Sequence, residues 1–193
     1  MSKAFKLSMN EYLPSSLGVS KANIIEHGEK TRREAKFEHG FQLKDLFELN
    51  GGKIETQDAL ATNDRACEFR PDGTFKIYLS SLRSGLSNNM IAAREFGHFV
   101  LHTRDFKRDH PDMTMVVPKT IPETNEDLIR CKWETIWFAA GFLMPEAEFV
   151  KAVDERGLED ASSLFAVTPD AARNRHDEIV NNIAVHDTAP TPA

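Results

Sequence analysis

At 193 residues, 40 % of them apolar, the chain is long enough to bury one sizeable core and short enough to make a single domain the default. A net charge of -6 and a pI near 5.7 remove any general electrostatic attraction to phosphate backbones or anionic bilayers, so nucleic acid and membrane are not the expected partners. Cys67 and Cys131 form no CxxC pair, and neither a secretory signal nor an apolar run of membrane-spanning length is visible, so a reducing cytoplasm is the expected location.

Residues 1–19 mix polar side chains with Pro14 and Gly18 and show no periodicity, which predicts a loosely held arm. Residues 20–37 are strongly charged and begin with Ser20 as an N-cap, predicting a mostly solvated outer helix. A second short helix is expected over 41–49, stopped by Gly51 and Gly52, with a strand near 53–56. Residues 66–70 and 74–79 flank a Pro71-Asp-Gly turn. Because Phe75, Ile77 and Leu79 alternate with Lys76, Tyr78 and Ser80, they predict a β-hairpin. Ser87, Asn88 and Asn89 offer cap chemistry for a helix reaching about residue 102. Residues 128–144 form a far more apolar helix ended by Pro145. The link between those helices, 103–127, is rich in Asp, Pro and Thr and is expected to be an unstructured flap or gate. A helix from Pro145 to about Val153 and a helical pair over 156–185 complete the expected domain, residues 20–187 with a core at about 40–155, before a disordered tail at 188–193.

The stretch Ile91-Ala-Ala-Arg-Glu-Phe-Gly-His-Phe-Val-Leu-His carries the chemistry. On a helix, Ala92, Ala93, Phe96, Phe99 and Val100 share one side, while Arg94, Glu95, His98 and His102 fall within an opposite arc of roughly 100°. An ordinary amphipathic helix would show those four groups to solvent or pair them at i,i+3 and i,i+4. Zinc peptidases, however, use HExxH on a helix: two histidines four apart hold the metal and the Glu between them activates its water. Here the five residues read Arg94-Glu-Phe-Gly-His98, so the first ligand is missing. On the later helix Glu134 is the one charge amid Trp133, Trp137, Phe138, Phe142 and their neighbours, and a carboxylate in that setting needs a specific partner. The two tryptophans, four apart, are expected in the core. His27, His39, His110, His176 and His186 have no metal-type spacing and are expected at the surface.

AREFGHFVLH followed some 30 residues later by ETIWFAAGFLMP resembles the ImmA/IrrE family of small bacterial and phage zinc peptidases, over roughly residues 40–176. The resemblance implies an α+β, zincin-like minimal metallopeptidase fold, with a small antiparallel sheet or hairpin packed on an active-site helix and a Glu-bearing helix, followed by a C-terminal helical pair. By position it makes Glu95 the general base and His98 and Glu134 zinc ligands. Members are known for cutting or antagonising repressors of mobile elements and stress genes, which implies a protein or peptide partner such as a repressor or other transcription regulator.

Arg94 alters that chemistry. A guanidinium stays protonated and has no lone pair for a metal, so zinc binding and the activated water should both suffer. The expectation is a cleft in which Arg94 replaces the ion's charge and pairs with Glu134, leaving a pseudopeptidase that binds or regulates a partner. The alternative is an active zinc endopeptidase using His98, Glu134 and His102 as a rescue ligand, with Glu95 as base. A DNA-reading helix-turn-helix over 158–179 is not expected: Glu159, Asp160, Asp170, Asp177 and Glu178 outweigh Arg173 and Arg175 where a DNA reader needs a basic face.

Overall fold

The computed structural model describes residues 5–38, 43–58 and 63–187, with side chains through residue 181. His39, the side chain of His186 and the tail 188–193 lie outside the described residues. Chain order is β1 (Glu11–Tyr12), α1 (Lys21–Glu34), α2 (Leu43–Leu49), β2 (Gly52–Gln57), β3 (Arg65–Phe69), β4 (Phe75–Ser80), α3 (Gly85–Asp109), β5 (Thr114–Pro118), α4 (Glu126–Leu143), α5 (Glu146–Arg156), α6 (Leu158–Leu164) and α7 (Pro169–Asp187).

The five strands form one sheet in the order β1-β5-β3-β4-β2. The expected hairpin is present, with Cys67 opposite Ile77 and Phe69 opposite Phe75. The sheet is mixed, not antiparallel throughout, because β2 runs parallel to β4 and β1 parallel to β5. Its core face is built on phenylalanine. Phe75 stacks on Phe99 at 4.6 Å between ring centres, Phe47 meets Phe96 at 5.2 Å, and Phe96 meets Phe142 edge-on at 5.8 Å. This chain of rings joins sheet, α3 and α4. Each buried Phe contributes about 1.5–3 kcal/mol of transfer free energy.

Two expectations fail on the link between the chemical helices. Helix α3 starts earlier, with Ser84 Oγ accepting from Ser87 N–H, and continues to Asp109. The supposed flap then supplies β5, an interior strand between β1 and β3 whose Met115, Val116 and Val117 are buried. Only three apolar residues in a polar stretch carry it, too few for a period to show. Helix α1 is also less solvated than its charges suggest. It lies along α4 so closely that a Cβ on Gly28 would collide with the Phe138 carbonyl, and one on Gly141 with the Ile25 carbonyl. Arg32, though charged, is buried, with its guanidinium donating to the Phe142 carbonyl and to Glu148.

From β1 onward, the segment expected as a loose arm makes specific contacts. β1 pairs with β5, Pro14 is buried, and the chain then crosses α4 as a strap. Ser16 donates its N–H and its hydroxyl to Asp127, and the Arg130 guanidinium donates to the Val19 carbonyl. At the other end, α6 and α7 form the expected helical pair, with Thr168 Oγ1 accepting from Ala171 N–H. Arg175 is buried there, donating to the Met144 carbonyl and to Glu29, so it does not present charge to a partner. No helix among the described residues is long and apolar enough to cross a membrane.

Candidate functional site

Helices α3 and α4 approach through Gly97, where a Cβ would stand 3.1 Å from Phe138 Cδ1 and 3.2 Å from Thr135 Cβ. That small residue brings the polar arc of α3 against Glu134. The arc is not solvated: Glu95 is 1 % exposed, His98 3 %, His102 2 % and Glu134 0 %. A buried chain of polar groups results. Glu95 Oε2 stands 4.0 Å from His98 Nε2, His98 Nδ1 lies 3.0 Å from His102 Nδ1, and His102 Nε2 lies 3.0 Å from Glu134 Oε2.

Each end of the chain carries an arginine. Arg94 donates through Nε, at 3.0 Å, and through Nη2 to Glu95 Oε1, while Cys67 on β3 donates its thiol to Glu95 Oε2 at 3.2 Å. The expected partner of Arg94 was Glu134; the structure pairs it with its own neighbour on the helix. Glu134 is instead held by four donors. Oε1 accepts from Gly18 N–H at 2.9 Å and Arg130 Nε at 3.3 Å; Oε2 accepts from Leu17 N–H at 3.0 Å and from His102. A carboxylate has about four lone-pair sites, so this one is saturated by protein.

The electrostatics follow from burial. Burial alone would raise the Glu134 carboxyl, but the bonds from His102 and the Leu17 and Gly18 amides outweigh it and hold it below its ordinary value. Burial, then His102 and then Arg94 push His98 well below the usual histidine range, so its ring is neutral. Burial, then the Glu95 carboxylate drive the Cys67 thiol far up. Cys131 on α4 is pushed up to about 12 by burial, then by Asp127 and Glu134. For Arg94, burial works against the charge, but Glu95 overrides it and the guanidinium is held protonated.

Arg94, Glu95 and His98 line a cleft of about 270 Å³, walled by the end of β5 and the three residues after it and by Lys132 and Thr135 of α4. Zinc does not fit where HExxH would place it: Arg94, standing at the first ligand position, has no lone pair, and its guanidinium is fixed beside Glu95. Among the described residues, the group that could hold an ion is a different one, His102, Cys131 and Glu134, whose ligand atoms lie within 4.8 Å of one another.

Arg94, Glu95, His98, His102 and Glu134 are brought together as their spacing in the sequence implies, whereas Cys67, Cys131 and the strap amides were not foreseen. Cys131 had a readable signal, standing three residues before Glu134 and so on the same helix face. The strap amides had none, since a backbone N–H carries no sequence signature. Trp133, expected in the core, is 50 % exposed; it stacks on Trp137, whose other neighbour is the Arg130 guanidinium, 4.8 Å from the ring centre.

A mixed sheet backed by a helix with a degenerate HExxH, and a second helix bearing a buried Glu, define an α+β fold of the zincin-like metallopeptidase class. A family model described as the IrrE N-terminal-like domain matches residues 51–176, and the chain belongs to that family. Comparison with curated protein sequences gives no match. Among solved structures, a Mycobacterium tuberculosis transcriptional regulator superposes with a TM-score of 0.55 at 17 % identity, over 79 % of this chain and 46 % of that one. The chain thus spans less than half of that regulator's length, and the likeness bears on fold alone.

Proposed function

We propose that this chain uses a peptidase fold as a binding or regulatory module, holding a protein or peptide segment in its cleft without cutting it, in the control of a repressor of mobile-element or stress genes. The observation that carries this reading is the Arg94–Glu95 pair. The carboxylate that would activate water has one oxygen bound by a guanidinium and the other by the Cys67 thiol. With its base tied to a guanidinium and a thiol, and a fixed cation where the first ligand belongs, the cleft lacks the metal-bound water that peptide hydrolysis requires. The resemblance to a transcriptional regulator in fold agrees with a regulatory role, and two reduced, buried cysteines suit a cytoplasmic setting.

The test is incubation of the purified chain with a repressor encoded beside it, with zinc and with a chelator in parallel. The expected result is an intact repressor that co-elutes with this chain under both conditions. Chelator-sensitive cleavage would overturn the reading and favour the second one, a zinc endopeptidase working through His98, Glu134 and His102 with Glu95 as base. The clustering of those four buried groups is what recommends that alternative.

A further inference from the structure

We infer that His102, Cys131 and Glu134 form a buried thiolate-containing zinc site, one helical turn beyond the position that the family motif would use, with His98 as a supporting group and not a ligand.

The geometry begins with the three ligand atoms. One ligand atom each from His102, Cys131 and Glu134 lie within 4.8 Å of one another, His102 Nε2 being 3.0 Å from Glu134 Oε2, and ligand edges around a tetrahedral zinc are roughly 3.3–3.8 Å given its usual bond lengths. An ion would therefore need a contraction of about 1.5 Å at most. All three side chains are buried: Cys131 and Glu134 sit one turn apart on α4, and His102 faces them from α3. One imidazole, one thiolate and one carboxylate suit zinc or cobalt, and the thiolate disfavours magnesium and calcium.

The surrounding hydrogen bonds are those that a metal-bound set needs. A histidine that ligates through Nε2 must give its Nδ1 proton to an acceptor. His102 Nδ1 has one at 3.0 Å, the Nδ1 of His98. Accepting that bond on Nδ1, His98 carries its own proton on Nε2, which faces Glu95 Oε2 at 4.0 Å. Glu134 is prepared in the same way. Replacing its bond from His102 by a bond to the ion leaves Leu17 N–H on Oε2 and Gly18 N–H and Arg130 on Oε1, three donors that orient a ligating carboxylate. Cys131 gives up its thiol proton to solvent as the ion binds. The strap covers the site: its Pro14 carbonyl, 3.8 Å from Sγ, accepts the Cys131 thiol in the ion-free chain, and the bond to the ion replaces that contact.

This site differs in consequence from the family's. Glu95 is separated from the ion by the whole width of His98, and its oxygens stay with Arg94 and Cys67, so the metal steadies the α3–α4 seam and the strap without activating a water for Glu95.

The experiment is cobalt(II) titration of the full chain after metal removal under reducing conditions. One ion per chain is expected, with the intense near-ultraviolet band of a thiolate–cobalt bond. The band should disappear in Cys131→Ser, and His102→Ala should lower affinity at least about tenfold, whereas Arg94→Met should leave affinity within about twofold. Failure to take up an ion, or uptake without the sulfur band, would overturn the inference. Should Cys131→Ser not fold, zinc-edge X-ray absorption of the unsubstituted protein decides: one sulfur at about 2.3 Å beside nitrogen and oxygen at about 2.0–2.2 Å supports the site, and a sulfur-free shell refutes it. Because neither readout measures cleavage, this inference stands or falls separately from the non-hydrolytic function.

Discussion

The rings of His98 and His102 meet through their Nδ1 atoms, 3.0 Å apart, so one of those nitrogens must carry the proton and the other must accept it. Two histidines four apart on one helix face thus act as a linked pair between Glu95 and Glu134. His98→Ala should leave His102 Nδ1 unpaired in a dry setting and cost about 1–3 kcal/mol, read as a lower urea midpoint at unchanged slope. A loss within error would show that water reaches the pair.

The Arg94–Glu95 bond makes a second prediction. Arg94→Met leaves a buried carboxylate without its cation, and because Arg94 is itself about a third exposed the cost is discounted to about 1–3 kcal/mol. Glu95→Gln in the same chain should recover most of that loss. Urea unfolding of both single variants and the double variant measures the coupling, and additive losses would contradict the pairing.

Packing of α1 on α4 sets a third. Gly141→Ala drives a methyl into the Ile25 carbonyl, and a backbone neighbour has little room to yield, so a loss of about 1–3 kcal/mol or more is expected. Gly85→Ala, with nothing within 4 Å, serves as the comparison and should shift the melting temperature by far less.

Alkaline pH probes the sheet. Tyr78 is pushed up to about 12 by burial, then by Glu68, so its folded value exceeds the ordinary 10. The sign is that of a raised acid: the stabilisation is fully present below pH 10 and drains away as pH climbs toward 12. In a Tyr12→Phe chain, phenolate absorbance should therefore rise with a midpoint near 12. A midpoint near 10 would mean that the hydroxyl is solvated. Cys67, raised for the same first reason, should resist iodoacetamide at pH 8 until the chain unfolds.

Gly18 holds the strap at a φ of +68°, a region that an L side chain adopts at a cost, with open space around it. Gly18→Ala should cost about 1 kcal/mol from backbone strain alone and speed proteolytic nicking near residue 18. An unchanged nicking rate would show that the strap is anchored elsewhere.

Much of this architecture was legible because its signals are periodic. The alternation of Phe75, Ile77 and Leu79 against polar neighbours gave the hairpin, and the apolar run of 128–144 gave α4. β5 was not legible, since its identity depends on Arg65–Phe69 offering a free edge far away in sequence. The site divides similarly. Arg94, Glu95, His98, His102 and Glu134 could be found from helix spacing, but which of them pair could not. Arg94 turned to Glu95 because the oxygens of Glu134 were already filled by Arg130, His102 and two amides of the strap.

The strap also dictates an order of assembly. Leu17 and Gly18 donate to a carboxylate whose partners lie 117 and 116 positions away. During synthesis the strap from Ser16 to Val19 must wait, undocked, until α4 has left the ribosome and settled on α1. Closing so long a loop comes late, because its entropy is offset only once the seat is formed. A segment made long before its seat is therefore among the last to find its place.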